Sequence, residues 1–108
     1  MTTPPASLMV PALLRQVSAA GGFATVLHRG HAAGHAVVLV LQPQEGEPRA
    51  FERVPSFATG PQWREAARGA EAVARFCRRQ VGFDPDLWVV ELTVAQPERF
   101  IPGFPPQD

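Results

Sequence analysis

The chain has 108 residues, a length that favours a single folded domain with one core. Hydrophobic residues make up 45% of it and charged residues 19%, a balance that excludes a highly charged disordered chain. Ten arginines, with no lysine, balance ten acidic residues. The net charge of zero therefore gives no argument for nucleic acid or an anionic membrane as the partner.

Cys77 is the only cysteine, which excludes an intramolecular disulfide and suits a reducing compartment. The apolar run from Leu8 to Leu14 is short, contains Pro11 and follows no basic residue. It is typical neither of a signal peptide nor of a membrane span. The sequence therefore predicts a cytoplasmic protein.

The first part of the chain predicts a helix. Residues 1–7 are expected to form a flexible tail, and the helix to begin near residue 9 or 10, because Pro11 is tolerated only in a first turn. Gly21 and Gly22 are expected to end it. Its apolar residues fall at helical spacing and predict one buried stripe: Val10, Leu13, Leu14, Val17 and Ala20.

Three strands are expected next, over residues 23–29, 36–42 and 49–54. The second contains five consecutive apolar residues, Val37 to Leu41, which favours a central strand covered on both faces. The third carries charged side chains along its length, which favours an exposed edge strand. A loop is expected over residues 55–61.

A second helix and a fourth strand complete the predicted fold. Apolar residues from Trp63 to Val81 share one helical face. Gly69 disfavours helix, so the regular helix is expected to begin near Gly69, with Trp63 in a preceding turn or strand. Residues 87–94 are predicted to form a strand with apolar side chains on both faces, and residues 99–101 a possible short fifth one.

The predicted order is α-β-β-β-α-β with a possible last β, in one α+β domain over residues 8–101, followed by a Pro-rich tail over residues 102–108. The simplest packing places both helices on one face of a mainly antiparallel sheet. That arrangement leaves the other face of the sheet without cover. We therefore expect the protein to bury it in a homodimer or against another protein.

The segment from Phe83 to Glu91 contains a closely spaced acidic pair. Asp84 is expected to accept backbone N–H bonds in an Asx-turn that Pro85 prearranges. The alternative is that Asp84, Asp86 and Glu91 supply oxygen ligands for Mg²⁺ or Ca²⁺.

Two further residues of this segment are binding candidates. Trp88 is expected to anchor the core, with stacking against a ligand or base as the alternative. Glu91 lies in the middle of the predicted strand. Three interpretations of Glu91 remain open. It could be buried and paired with an arginine such as Arg15, it could be exposed at a margin of the sheet, or it could be a functional carboxylate.

The spacing H-x2-H-x3-H of His28, His31 and His35 is compatible with three zinc ligands. Three imidazoles with water as the fourth ligand make an open Zn²⁺ site. The spacing crosses a predicted strand end and a turn over residues 30–35 rather than a helix, so it does not itself place the three rings on one side. We therefore expect no cofactor and keep a metal site as the alternative.

Arg64, Arg68, Arg75 and Arg79 recur at helical spacing and predict a basic stripe on the second helix. Glu71 interrupts the stripe. A solvated helix face explains this pattern, and a surface for phosphate or nucleic acid is the alternative. No helix-turn-helix signature accompanies it, which disfavours readout of bases.

Three blocks together resemble a known family: Ala12-Leu13-Leu14-Arg15, Gly22-Phe23-Ala24 and the nine residues from Phe83 to Glu91. With the apolar strand pair, they resemble a bacterial family of short proteins catalogued as domain of unknown function 1491, over roughly residues 8 to 101. The resemblance implies a compact single-domain protein and assigns no catalytic residue. The chain departs from the family in the stretch before the second helix and in having His31 and His35.

The sequence contains no Gly-rich phosphate loop and no G-x-S-x-G elbow. It therefore favours a non-catalytic cytoplasmic protein that acts through a protein–protein surface, as a homodimer or with another protein. One alternative is anion or nucleic-acid binding through the arginine stripe. The other is a small metal-dependent enzyme that uses the histidines or the acidic turn.

Overall fold

The computed structural model describes residues 4–54 and 62–105. In chain order its elements are α1 (Ala6–Ala19), β1 (Phe23–His28), β2 (Val37–Leu41), β3 (Arg49–Val54), β4 (Gln62–Arg68), α2 (Ala70–Phe83), β5 (Trp88–Thr93) and a 3₁₀ turn (Pro97–Arg99). The predicted loop over residues 55–61 lies outside the described residues.

The five strands form one sheet in the order β1-β5-β2-β3-β4. β5 runs parallel to β2 and antiparallel to β1, whereas β3 is antiparallel to both β2 and β4. The prediction of an α+β fold with a mainly antiparallel sheet is confirmed. The prediction that residues 49–54 form an edge was wrong, because β4 pairs with β3 from Arg49 to Val54.

The two helices cover opposite faces of this sheet. Leu39 of β2 packs in the cluster that contains α1, whereas Val38 and Val40 pack with Val73 and Phe76 of α2. The prediction of both helices on one face was therefore wrong. A central strand that is buried along its whole length needs apolar cover on both sides, and one helix supplies each side.

The folded domain extends beyond the predicted limits of 8 and 101. α1 begins at Ala6 rather than near residue 9 or 10, so Pro11 lies inside the helix. At the other end, Phe104 is buried against aromatic rings of the core. Residues 1–3 and 106–108 of the predicted tails lie outside the described residues.

The segment before α2 is a strand that sequence spacing had joined to the helix. Gly69 has a φ of +96° and directly precedes α2, which confirms the helix start expected there. Trp63 packs on the α1 side of the sheet, whereas Ala66 and Ala67 both pack on the α2 side, because a bulge in β4 shifts the alternation between them. The order is α-β-β-β-β-α-β, and the 3₁₀ turn with buried Ile101 replaces the possible last strand.

Candidate interaction surface

The acidic turn after α2 forms hydrogen bonds within the fold. Asp84 follows the last residue of the helix, and its Oδ1 accepts the backbone N–H of Asp86 at 3.1 Å, which is the predicted Asx-turn. The carbonyl of Asp86 accepts the N–H of His31 at 2.9 Å. Among residues 4–54 and 62–105, no group of three or more His, Cys, Asp or Glu is arranged to hold a metal ion. The geometry therefore fits a structural turn.

Trp88 is buried, as expected for a core anchor, and it also fixes a loop. Its Nε1–H donates to the carbonyl oxygen of His31 at 2.9 Å, and the guanidinium of Arg29 lies 5.2 Å from the ring centroid. Because the ring is enclosed in this way, it offers no free face on which a base can stack.

The three histidines do not share a site. Nδ1 of His28 lies 2.7 Å from the carbonyl oxygen of Leu87, and Nδ1 of His31 accepts the N–H of Ala33 at 3.1 Å. His35 is exposed. Since two of the rings already use a nitrogen in local hydrogen bonds, and the three form no ligand group in the described chain, the geometry does not support the zinc alternative.

The predicted arginine stripe is divided between two elements, so a single helical stripe was wrong. Arg64 and Arg68 belong to β4, where they form ion pairs with Glu52 at 3.3 Å and Glu65 at 3.1 Å. Glu65 also accepts from Arg49. The hydrogen bond from Arg68, assisted by Arg49, holds the pKa of the Glu65 carboxyl below its usual range.

A compact basic surface remains on α2. Arg75, Arg78 and Arg79 are exposed, and within the described part of the chain no ion pair involves them. Glu71 and Arg75 have the i, i+4 spacing of an ion pair, but the described structure does not contain that ion pair. We call these three residues the α2 arginine surface. None of them lies in the last turn of α2, so interaction with the helix dipole does not account for this surface.

Glu91 lies in the middle of β5, opposite Thr25 of β1 and Val40 of β2, and is half-buried. Within the described residues it forms no hydrogen bond or ion pair. The pair with Arg15, one of the three alternatives that the sequence left open, is not formed. By strand alternation Glu91 faces the α2 side of the sheet, whereas Arg15 belongs to the helix on the other side.

Glu91 lies on a part of the sheet that α2 leaves open, because the helix packs towards β4 and β3. The adjacent strand exposes two large apolar side chains, Phe23 at 75% and Leu27 at 53%. Thr25 is exposed between them and Thr93 is half-buried. We call this area, formed by these five residues, the open β1–β5 face.

The strand β1 is also a free edge of the sheet. Its six residues, Phe-Ala-Thr-Val-Leu-His, include no Asp, Glu, Arg, Lys or Pro, the residues that commonly protect an edge from pairing. β4, at the opposite edge, carries Arg64, Glu65 and Arg68. A bulge between Val26 and His28 interrupts the pairing of β1 with β5 near its end.

A cleft of about 550 Å³ adjoins this face where β2 and β5 end. Its walls include the turn at Gly22, the strand ends that carry Arg49 and Arg68, and the loop with Glu45 and Glu47. Positive and negative side chains both line it, so the lining selects neither an anion nor a cation by charge. The open β1–β5 face is therefore the more distinctive surface.

None of the described helices is long and apolar enough to cross a membrane. A mainly antiparallel five-stranded sheet with one helix on each face, one protected edge and one open edge defines a small single-domain α+β protein.

The chain belongs to the family described as Protein of unknown function (DUF1491), whose model matches residues 5–102. The resemblance drawn from the sequence blocks is thereby confirmed. The solution structure of protein Atu0922 from A. tumefaciens is 27% identical, covers 99% of this chain and 98% of its own, and superposes with a TM-score of 0.80.

Two structures of DUF1491 family proteins from Caulobacter crescentus CB15 are also similar. The crystal structure is 26% identical, covers 94% of this chain and 99% of its own, and has a TM-score of 0.81. The NMR structure is 26% identical, covers 97% and 99%, and has a TM-score of 0.81. A comparison with curated proteins found no match.

Proposed function

We propose that this protein is a non-catalytic binding protein that engages a protein partner through the open β1–β5 face and the free edge of β1. The observation that carries the proposal is the exposure of Phe23 and Leu27 on an edge strand without charge. An apolar edge strand is the structure to which another chain adds by backbone hydrogen bonds, with side-chain contacts supplying specificity.

Glu91 supports the same proposal from the adjoining strand. Within residues 4–54 and 62–105 this half-buried carboxylate has no partner, so there it lacks the interactions that normally offset a partial loss of water. A partner that covers the face and donates an Arg or Lys to Glu91 would form a charge-assisted hydrogen bond there. The face therefore combines apolar contact area with one charged group that sets orientation.

The test replaces single residues by a photo-reactive phenylalanine analogue in the full chain, expressed in cells. Phe23 and Phe83 form a matched pair, because both are phenylalanines and are 75% and 79% exposed, but Phe83 lies at the end of α2. We expect a discrete cross-linked product with the probe at position 23 and none at position 83. Equal products at both positions, or none at position 23, would contradict the proposal.

A second candidate function is anion binding by the α2 arginine surface. It is favoured by three neighbouring arginines, Arg75, Arg78 and Arg79, that take part in no described ion pair. Phosphate contacts of this kind weaken steeply with salt. Titration of a labelled oligonucleotide should show salt-sensitive binding that the triple Gln variant loses. Absence of binding at low salt would remove this candidate.

We place the protein in the cytoplasm as part of the proposal. Cys77 is a free thiol on α2, half-buried against the core, and burial raises its pKa. A thiol of this kind suits a reducing compartment.

A further inference from the structure

We infer that the partner of β1 is a second copy of this chain, whose β1 adds antiparallel to the first about a two-fold axis beside Thr25. This inference rests on the proposed function, because it names the partner of the same surface. It joins two five-stranded sheets into one continuous sheet with β1 strands at its centre.

The difference between the two sheet edges supports a partner at β1. β4 carries three charged side chains, Arg64, Glu65 and Arg68, and Arg64 and Arg68 form ion pairs with Glu52 and Glu65. Those charges make a second strand costly to add. β1 presents no fixed charge to a copy of itself, so two β1 strands meet without like-charge repulsion.

Two-fold symmetry restricts the register of such a pair. In antiparallel strands, residues directly opposite each other point to the same face of the sheet. A two-fold axis perpendicular to a continuous sheet keeps the open face of one copy beside the open face of the other. Odd-numbered residues of β1 must then lie opposite odd-numbered residues of the second copy.

A register centred on Thr25 satisfies this condition and pairs the apolar side chains best. It places Phe23 opposite Leu27 of the second copy, twice by symmetry, and Ala24 opposite Val26. Centring on Val26 instead places Ala24 opposite His28 and leaves Phe23 without a partner. Because Phe23 and Leu27 are both exposed in the single chain, only the first register removes both from water.

The geometry predicts weak association. A strand of six residues is only about 20 Å long, so the new interface is small compared with those of stable complexes. The bulge near His28 also limits regular pairing at one end. We expect a dimer that forms between about 10 µM and about 1 mM, in the range of transient contacts.

The first experiment is sedimentation of the full chain across that concentration range. We expect the mass to rise from 11.7 kDa towards twice that value. Thr25→Arg should weaken dimerisation by at least about tenfold, because it places like charges together at the axis. Phe23→Asp should have a similar effect, because it places a carboxylate opposite the apolar side chain of Leu27 in the second copy. Phe83→Asp removes an equally exposed phenylalanine elsewhere and should behave as the wild type. A wild-type chain that stays monomeric at about 1 mM would overturn the inference.

The second experiment tests the register by the formation of a disulfide between two copies. In a Cys77→Ser background, Thr25→Cys places a cysteine opposite itself, with Cα atoms about 4.5 or 5.5 Å apart, within the range of a disulfide. Thr93→Cys is the matched control. It lies one strand further in, so the two copies are about 14 Å apart or more. Oxidation should link the Thr25→Cys chains selectively, and equal rates for both variants would overturn the register.

Failure of the inference and failure of the proposed function give different results. A monomeric wild type together with a cross-link from position 23 to another protein would refute the second copy as partner and retain the surface. A monomeric wild type that also gives no cross-linked product with the probe at position 23 would refute both the second copy as partner and the proposed binding surface.

Discussion

Replacement of Gly30 by Ala should destabilise the protein strongly, although the change adds one methyl group. A Cβ at this position would lie 2.1 Å from the carbonyl oxygen of Asp86 and 2.6 Å from Cδ1 of Trp88. Both distances are far below van der Waals contact, so the loop before β2 must move away from the segment that leads into β5.

That movement breaks interactions as well as creating overlap. The backbone N–H of His31 donates to Asp86, and its carbonyl accepts from the indole of Trp88, each at 2.9 Å. Overpacking costs about 1–3 kcal/mol and each hydrogen bond contributes about 0.5–1.5 kcal/mol. Since these effects overlap, we expect a loss of about 2–4 kcal/mol, a large share of the about 5–15 kcal/mol of a typical domain.

The assay is equilibrium unfolding in urea, with Gly82→Ala as the control. A Cβ at Gly82 meets nothing within 4 Å, and this residue lies in α2 without a positive φ, so alanine should stabilise by up to about 1 kcal/mol. If Gly30→Ala unfolds within about 0.5 kcal/mol of the wild type, the account of the loop contacts is refuted.

Three further predictions concern the sheet and α2. Glu91→Thr should raise the stability of the single chain by about 0.5 kcal/mol, because Thr favours strands and Glu91 has no partner among the described residues. A thermal melt that shows a loss of more than about 1 kcal/mol would contradict this prediction. The pKa of Glu65 is depressed chiefly by its hydrogen bond with Arg68. The stability that ionised Glu65 contributes is therefore fully present above its ordinary pKa of 4.5 and is lost as the pH falls through its lower pKa in the folded chain. Glu65→Gln should therefore flatten the acid side of the curve of stability against pH. An unchanged slope would contradict this. Burial raises the pKa of the Cys77 thiol, so its reaction with a disulfide reagent at pH about 8 should be slower in the folded chain than in denaturant, and equal rates would show that it is accessible.

Features that depend on local sequence were the most predictable. Gly69 marked the start of α2, and the apolar run of β2 indicated a central strand covered on both faces, which the sheet order confirms. The Asx-turn at Asp84 followed from side-chain chemistry over two residues.

Features that depend on contacts distant in sequence were not predictable. Trp63 and Ala66 have helical spacing, but in β4 they lie on opposite faces of the sheet. A bulge between the pairs with Ala50 and Phe51 of β3 places Ala66 beside Ala67 on the α2 side. The division of the helices between two faces was also missed, although the five buried residues of β2 already required cover on both sides.

The open β1–β5 face was missed because both alternating sets of β1 residues are largely apolar. Phe23 and Leu27 on one face, and Ala24 and Val26 on the other, give no signal of which side is buried. The available clue was the absence of charge from this strand, and that clue acquires meaning only once the strand is known to be an edge.

The most direct test of the account is a concentration series of ¹H–¹⁵N spectra of the wild-type chain from about 10 µM to about 1 mM. If two β1 strands pair, the shifts should be confined to residues 23–27 and the adjoining part of β5, with the α2 signals unchanged. Spectra that do not change, or shifts centred on Arg75, Arg78 and Arg79, would contradict the assignment of β1 as the surface through which this protein binds a second copy of itself.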